Sequence, residues 1–251
     1  MKKLLFLVSV SILFFASCIP NPEEDADPFI PPANLMLKKT VDTYDDGEII
    51  TTNYTYLGDK IVSVVDDSGY ANLYYTYTDD LITRIEFRDI DGVVEQFNTF
   101  EYDDTKRLVT YKRIEPLDDS GYKETYVYNS DGTISITSFS GDAITQTDTD
   151  GTTGTVTFIG GEISKITSAN ATYSYTYDNK SNPFKNVLGM NKIAFVDGEG
   201  EGILHNVISE TATVGGQSPV SFAYTFTYAN DFPVTSRQDN TDGNYTTEYF
   251  Y

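Results

Sequence analysis

Aromatic and hydroxyl-bearing residues alternate in several short stretches of this chain. In the stretch ATYSYTY (171–177), tyrosine occupies every second position and threonine or serine occupies the positions between, and VSFAYTFTY (220–228) repeats the arrangement. Successive side chains of a β-strand point to opposite faces, so this alternation predicts strands with one aromatic face and one polar face. Only FKNVLGMNK (184–192) suggests a turn of helix. The pattern therefore predicts an all-β domain.

A polar turn and a return strand follow most of the aromatic stretches. The turns DDGE (45–48), DIDG (89–92), NSDG (129–132) and IGGE (159–162) contain the Asp-Gly or Gly-Gly pairs that tight hairpins need for positive φ angles. The return strands are predicted to begin at Lys60, Leu81, Arg107, Thr133 and Glu162. We expect an antiparallel up-and-down meander of many short strands, curled into an open or closed barrel-like sheet.

The last aromatic residue of each rising strand recurs at roughly regular intervals, which indicates a degenerate hairpin repeat. These residues are Tyr56, Tyr77, Tyr102, Tyr128, Phe158, Tyr177 and, after a double interval, Tyr228. One hairpin buries too little surface to be stable alone, so neighbouring hairpins must share hydrogen-bond ladders. Residues 35–251 are therefore predicted to form a single domain.

The N-terminal segment has the features of a bacterial lipoprotein signal. Lys2 and Lys3 precede an apolar stretch, and Phe15-Ala16-Ser17-Cys18 resembles a lipobox in which the cysteine receives the lipid. The prediction is a signal peptide over 1–17, lipidation at Cys18, and an acidic, proline-rich tether over 18–34. The acidic residues Glu23, Glu24 and Asp25 resemble the surface-export signal of Bacteroidota lipoproteins. We therefore expect a protein anchored in the outer membrane, facing the periplasm or, as these acidic residues favour, the cell surface.

The charge of the chain narrows the choice of partner. The formal net charge is −21, and loss of Lys2 and Lys3 with the signal peptide brings it to −23. Such a domain repels phosphate backbones, which excludes nucleic acid as a partner. The remaining expectations are a monomer, attached to the membrane through its lipid, with a glycan or protein ligand.

Two sequence motifs resemble a known repeat. YDDTKRL (102–108) and YNSDGTI (128–134) resemble the YD repeat of RHS-type proteins, although Gly132 alone fills the glycine place and Arg107 alone the arginine place. The chain as a whole resembles a group of Bacteroidota lipoproteins of unknown function with a lipobox, an acidic tether and a YD-like β-meander. That resemblance implies an envelope location and a barrel-like architecture, and no activity.

Candidate ligand-contacting residues come from the aromatic face. Its rings could stack on sugars or could fill the interior of the sheet. The residues are Tyr173, Tyr175, Tyr177, Phe222, Tyr224, Phe226 and Tyr228. The first function hypothesis is accordingly a binding or structural module of the cell envelope, without enzymatic activity.

The alternative hypothesis is a polysaccharide hydrolase that uses two carboxylates, although no motif marks such a pair and no catalytic residue is predicted. No cofactor is predicted either. The acidic turns suggest calcium ligands at Asp148, Asp150, Asp239 and Asp242, but none completes a calcium-binding loop. His205, the sole histidine, is predicted to be an ordinary strand residue. The C-terminal NYTTEYFY (244–251) also resembles the last strand of an outer-membrane barrel, which leaves a transmembrane barrel as a further alternative.

Overall fold

A computed structural model describes residues 35–69, 72–149, 152–239 and 244–251. The described part is almost entirely β-structure. It contains 17 strands: β1 (Lys39–Tyr44), β2 (Ile49–Leu57), β3 (Lys60–Asp66), β4 (Asn72–Thr78), β5 (Leu81–Arg88), β6 (Val94–Tyr102), β7 (Leu108–Glu115), β8 (Ser120–Tyr128), β9 (Ile134–Gly141), β10 (Gln146–Asp148), β11 (Thr153–Ile159), β12 (Glu162–Thr167), β13 (Ala171–Tyr177), β14 (Val207–Val214), β15 (Val220–Ala229), β16 (Phe232–Asp239) and β17 (Tyr245–Phe250). Helix α1 (Met190–Ile193) and a single 3-10 turn (Val196–Gly198) lie between β13 and β14.

The described strands form one closed antiparallel barrel. Apart from the short β10, each strand pairs with the next along the chain, and β17 pairs with β1 over the full length of β1, from Lys39 opposite Phe250 to Tyr44 opposite Tyr245. β10 and β11 both pair with β9, so β10 is an extra short piece and the other 16 strands complete the ring. The predicted all-β meander is confirmed, and the sheet closes.

The two faces of the sheet differ as the alternation predicts. On β15, the aromatic residues face inward, whereas Ser221, Ala223, Thr225 and Thr227 are exposed on the outer face. The outer faces of β7 and β8 present charged and hydroxyl side chains in the same way, for example Lys112 and Lys123. Threonine, serine and charged residues thus dominate the outer surface, while aromatic and aliphatic residues form the core.

A tyrosine hydroxyl completes most of the hairpins. The pairing register shifts by one residue just after the turn in β2–β3, β4–β5, β6–β7 and β11–β12, which marks a β-bulge. The last tyrosine of the next rising strand then bonds the backbone there: the Tyr102 hydroxyl donates to the Ile82 carbonyl at 2.7 Å, and the Tyr177 hydroxyl to the Ile163 carbonyl at 2.7 Å. The β8–β9 hairpin keeps its register, and the next rising strand ends in Phe158, which has no hydroxyl.

The long β13–β14 connection closes one end of the barrel. This connection, residues 178–206, is here called the plug segment. It contacts the β15–β16 turn through a Lys180–Asp231 ion pair (2.5 Å), then the β2–β3 turn through the Leu188 amide and the Asp59 carbonyl (2.9 Å). Phe195 reaches the far wall, where it packs edge-on against Tyr126 of β8 at 5.2 Å between ring centroids. The turns on this side define the plugged end, and those on the other side define the distal end.

The first described residues also lie at the plugged end. Leu37 is fully buried and packs with Tyr54, Ile61 and Val187, and the Asn186 side-chain amide donates to the Leu35 carbonyl at 2.9 Å. Chain entry and plug segment therefore share one hydrophobic cluster.

Two further expectations have clear outcomes. The helical turn suggested within 184–192 is present as α1, which begins at Met190 and extends one residue beyond that stretch, to Ile193. The assignment of His205 to a strand is wrong, because residues 203–206 belong to the plug segment and β14 begins at Val207. The predicted signal peptide (1–17), Cys18 and the tether (18–34) lie outside the described residues, as do Glu23, Glu24 and Asp25.

Candidate ligand site in the barrel lumen

The inner face of the barrel changes from apolar to polar along its axis. Near the plugged end it is lined by buried aliphatic residues such as Ile82, Leu108 and Ile163. Farther from the plug segment, toward the distal end, the buried residues of other strands are polar and include Asn98 of β6, Glu124 of β8 and Gln238 of β16. Polar groups in a barrel interior require hydrogen-bond partners or solvent. The candidate site is therefore the lumen between the plug segment and the distal end.

A buried carboxylate ties the plug segment to the wall at β7 and β8. Glu124 is 2% exposed and accepts hydrogen bonds from the hydroxyls of Tyr122 (2.8 Å) and Tyr126 and from the backbone amide of Asp197 (3.0 Å). Burial raises the pKa of Glu124, and the tyrosine hydroxyls offset part of that effect. Asp197 in turn forms an ion pair with Arg113. These contacts fix the middle of the plug segment against the inner wall.

A second carboxylate holds the end of the plug segment. Glu162, at the start of β12, accepts hydrogen bonds from the backbone amides of Ile203 (2.9 Å), Leu204 (2.8 Å) and His205 (2.9 Å). The His205 ring contacts the same carboxylate through Nδ1 at 3.0 Å. The sole histidine thus has a structural partner.

Between these anchors, the plug segment presents two glutamates to the lumen. The Gly200 amide donates to the Tyr175 hydroxyl at 3.0 Å, and a Cβ atom at Gly200 would lie 2.7 Å from the Tyr175 ring, so only glycine fits. The Glu201 amide donates to the Ala194 carbonyl at 2.8 Å. This backbone geometry places Glu199 and Glu201, both exposed to solvent, on either side of Gly200.

Glu201 lies near the middle of the barrel. Burial raises the pKa of Tyr75 on β4 and of Tyr177 on β13, and the charge of Glu201 adds to both effects although these tyrosines stand on opposite sides of the ring of strands. Tyr224 on β15 is affected in the same way. Because the Glu201 side chain is exposed to solvent although strands surround it on all sides, the lumen around it must contain water.

Glu210 of β14 completes a group of three carboxyl groups with Glu199 and Glu201. The surrounding protein raises the pKa of Glu201 to about 7, and the negative charges of Glu199 and Glu210 add to this effect. The pKa values of Glu199 and Glu210 are raised as well, first because the surrounding protein removes part of the hydration of each carboxylate and then by repulsion from neighbouring carboxylates. Like charges held together in surroundings of low polarity favour either protonation or a positively charged partner.

The distal end adds to this negative potential. Five of its described hairpin turns carry acidic residues, the turns at 168–170 and 215–219 carry none, and no described residue of these turns is lysine or arginine. The acidic residues are Asp45, Asp46, Glu48, Asp67, Asp89, Asp91, Asp118, Asp119 and Asp142. The plugged end carries charges of both signs. Its basic residues are Lys106, Arg107, Lys180, Lys185 and Lys192, and its turns also contain Asp59, Asp79, Asp80, Asp103, Asp104, Asp131 and Asp231. A rim of one sign that leads into a lumen of the same sign concentrates cations there.

The aromatic residues predicted to contact a ligand all lie on the inner face, but they differ in which groups they contact. Each of four predicted tyrosines lies within electrostatic range of two of the three glutamates: Tyr173 and Tyr175 near Glu199 and Glu210, and Tyr177 and Tyr224 near Glu201 and Glu210. Phe222 stands opposite Glu210 in the β14–β15 ladder.

The remaining two predicted residues pack nearer the plug segment. Phe226 and Tyr228 stack on each other at 5.9 Å between ring centroids, and the Tyr228 hydroxyl donates to Asp178. Three of the predicted tyrosines, Tyr175, Tyr177 and Tyr228, therefore use their hydroxyls in the fold.

Only part of the predicted calcium ligands lies within the described residues, so that prediction stays a prediction. Asp148 is exposed at the end of β10, and Asp239 ends β16, a strand that has no pairing with β10. Asp150, Asp242 and the side chain of Asp239 lie outside the description. Within the described part, no three acidic, histidine or cysteine side chains gather as metal ligands.

Sequence reasoning missed Tyr75, Glu199, Glu201 and Glu210. Tyr75 lies in the aromatic run LYYTYT (73–78), so alternation could have assigned it to the inner face with its partners. The glutamates carry no such signal, because GEGEG (198–202) reads as a polar loop.

Comparisons with known proteins support the fold. A crystal structure of a porin-like protein from Bacteroides vulgatus superimposes with a TM-score of 0.57 at 14% identity, covering 86% of this chain and 98% of that one. The fold is shared. A porin-like protein from Bacteroides uniformis gives a TM-score of 0.38 at 12% identity, covering 85% of this chain and 97% of that one. No protein-family model matches the chain, and no curated protein sequence matches it.

Proposed function

We propose that this protein is an envelope-attached binding module that takes an amino sugar into the lumen of its barrel. The observation that carries the proposal is the group formed by Glu199, Glu201 and Glu210 with inward-facing tyrosines around it. Tyrosine rings stack on sugar rings, and carboxylates bind the ammonium group of a glucosamine unit. An amino sugar is a glycan, as the sequence analysis expects, and its positive charge complements the negative charge of the lumen.

The outer surface supports attachment rather than insertion in a bilayer. A barrel that spans a membrane carries an apolar band on its outer face, whereas the outer face here carries threonine, serine and charged residues. The helices of the described part are too short to cross a bilayer. Attachment through lipidated Cys18 is part of the proposal, and the plugged end, where the chain enters the barrel, would face the membrane.

The binding experiment compares two ligands of equal length. Short glucosamine oligomers and their N-acetylated counterparts are titrated into the full mature chain at neutral pH and followed by calorimetry. The charged oligomers are expected to bind more tightly by a factor of ten or more, because acetylation removes the ammonium group that the carboxylates recognise. Glu201→Gln and Glu210→Gln should each weaken that preference, whereas Glu101→Gln, on the outer face of β6, should leave it unchanged.

The outcome can contradict the proposal in two ways. Equal affinity for the charged and the acetylated oligomers would remove the role of the carboxylates. A preference that persists in Glu201→Gln and Glu210→Gln would place binding outside the lumen.

The alternative of a carboxylate-dependent hydrolase is favoured by one observation. Glu201, with a pKa of about 7, could serve as a general acid beside Glu199 or Glu210 as the ionised partner. Product release from glucosamine oligomers, abolished by Glu201→Gln with binding retained, would support hydrolysis. Binding without turnover in the wild-type chain would favour the binding module.

A further inference from the structure

A small cavity lies at the plugged end, between helix α1 and the β8–β9 hairpin. Its volume is about 280 Å³. The buried side chains of Ile134 on β9 and Phe195 in the plug segment line it, together with Phe158 of β11. Its lining also includes residues that are exposed to solvent, Asn191 of α1 and Gly132 of the β8–β9 turn. The cavity thus joins an apolar interior to an accessible mouth, as binding sites for small molecules commonly do.

The cavity lies where the hairpin repeat departs from its usual pattern. In three other hairpins, a tyrosine hydroxyl from the next rising strand bonds the backbone of the return strand. These pairs are Tyr77 with Ile61 (3.2 Å), Tyr102 with Ile82 (2.7 Å) and Tyr177 with Ile163 (2.7 Å). At the β8–β9 hairpin the corresponding residues are Phe158 and Ile134, and both line the cavity. Because phenylalanine has no hydroxyl, the space that an oxygen atom fills in the other hairpins is open to a ligand here.

Two basic side chains line the cavity, and no acidic residue is among the described residues of its lining. Arg107 lies over the Tyr128 ring, 4.7 Å from the ring centroid, and its Nε donates a hydrogen bond to Asp103 at 2.8 Å. Lys192 takes part in none of the described ion pairs. Arg107 is therefore held in place and retains further N–H donors, and the Lys192 ammonium group offers three. In a chain of net charge −21, such a lining favours an anion.

We propose that this cavity binds a small aromatic carboxylate. The carboxylate would accept charge-assisted hydrogen bonds from Lys192 and from the guanidinium N–H groups of Arg107 that Asp103 leaves unused. The ligand ring would pack against Phe158 and Phe195, which meet edge to face at 6.3 Å between ring centroids and offer aromatic surface to a third ring. The volume of about 280 Å³ lies just below the range of about 300–1,000 Å³ for drug-sized ligands, so the ligand must be small.

This site is separate from the lumen, and the proposal does not depend on the proposed function. The ligands of the two sites have opposite charges, because the three glutamates of the lumen favour a cation and the cavity favours an anion. A failure to bind glucosamine oligomers would therefore leave this proposal intact.

A titration with two matched probes tests the proposal. 3-Phenylpropionate and its neutral amide are each added to the ¹⁵N-labelled full mature chain at neutral pH and about 0.15 M salt, and backbone amide shifts are followed by NMR spectroscopy. We expect saturable shifts at Gly132, Ile134 and residues 191–195, with a Kd of about 0.1–1 mM for the carboxylate. The neutral amide should bind about tenfold more weakly or less, because it lacks the charge that Lys192 and Arg107 recognise.

Two variants and a control connect the signal to the cavity. Lys192→Met removes the ammonium group and keeps an unbranched apolar stem, so the carboxylate should bind about tenfold more weakly. Phe158→Tyr restores the residue of the repeat and adds a hydroxyl beside Ile134, so the ligand ring should no longer fit and the shifts should no longer saturate. Lys165→Met removes an exposed lysine from the outer face of β12 and should bind as the wild type does. Lys192→Met serves if Phe158→Tyr does not fold.

Four results would each overturn the proposal. They are the absence of saturable shifts, equal affinities for the carboxylate and the amide, wild-type affinity in both Lys192→Met and Phe158→Tyr, and an affinity for inorganic phosphate as high as that for 3-phenylpropionate. The last result would mean that the cavity recognises charge alone.

Discussion

At the scale of single residues, Tyr102 illustrates why the repeat uses tyrosine. Its ring lies on the inner face, where Phe100 and Tyr111 are also packed, while its hydroxyl bonds the carbonyl of Ile82 at 2.7 Å. That carbonyl lies at a β-bulge, where the ladder is irregular. Phe158, the one phenylalanine among the ends of rising strands, follows the β8–β9 hairpin, which has no bulge. One tyrosine side chain thus packs its ring in the core and, separately, donates a hydrogen bond from its hydroxyl to a backbone carbonyl.

Replacing Tyr102 with phenylalanine separates those two tasks. Tyr102→Phe retains the ring and removes the hydrogen bond to Ile82, so the free energy of unfolding should fall by about 1 kcal/mol. Urea denaturation measures this change. Tyr74→Phe is the control, because Tyr74 is exposed on the outer face of β4. Equal losses in the two variants would show that the bulge bond contributes nothing.

The lumen glutamate Glu201 makes a separate prediction about pH. Its pKa is about 7 in the folded chain and about 4.5 when unfolded, so the folded state retains a proton that the unfolded state loses between these values. The contribution of Glu201 to stability therefore falls as the pH rises from about 4.5 to 7. Glu201→Gln should melt a few degrees above the wild type at pH 8 and lose this advantage near pH 4.5.

Melting curves across that pH range provide the measurement. The exposed Glu101→Gln should show no such dependence of its melting difference on pH. A difference between Glu201→Gln and wild type that stays constant with pH would contradict the raised pKa.

At the scale of elements, the plug segment has little regular structure of its own. α1 comprises four residues, and the rest is turns and extended chain. Its position depends on buried carboxylates of the wall, Glu124 and Glu162, and on Asp178 at its own start, which accepts hydrogen bonds from the Asn206 amide (3.1 Å) and side chain (3.0 Å). The plug segment is therefore held in place by carboxylates of the wall and of its own first residue, and not by a long helix or strand within it.

Loss of the Glu162 charge should release the end of the plug segment locally. Hydrogen bonds to a charged group contribute about 1.5–3 kcal/mol, and Glu162 accepts three from backbone amides. In Glu162→Gln, hydrogen exchange at Ile203, Leu204 and His205 should accelerate at least tenfold. Amides of β2 and β3 should exchange as in the wild type, and Glu101→Gln should change neither region. Unchanged protection at 203–205 would mean that packing alone holds this end.

At the scale of the whole molecule, the pairing of β1 with β17, here called the seam, closes the meander into a ring. β1 and β17, about 200 residues apart in sequence, pair along their full length, and no sheet edge remains between them. A closed ring shares its stability among all strands, so we expect it to unfold as a unit.

Breaking the seam should therefore affect the opposite wall. Thr246 pairs with both Thr43 and Arg237, and proline there removes a backbone donor from the middle of the sheet and leaves an acceptor unsatisfied, at a cost of about 1–3 kcal/mol. Thr246→Pro should accelerate hydrogen exchange in β7 and β8 as well as in β1 and β17. Thr246→Ala, which retains the backbone donor, is the control. Native protection of β7 and β8 in Thr246→Pro would indicate independent parts rather than one cooperative ring.

The sequence by itself determined the strands, their turns and which residues face inward, because alternation and turn composition are local signals. Tyr173, Tyr175 and Tyr177 could be assigned to one face without any tertiary information. Only the tertiary structure decided that β1 meets β17 and that residues 178–206 cross the barrel, since no local periodicity encodes contacts between distant segments. The same holds for Glu201. Its chemistry arises from the neighbours that folding gathers around its carboxyl group, and those neighbours come from strands far away in the chain.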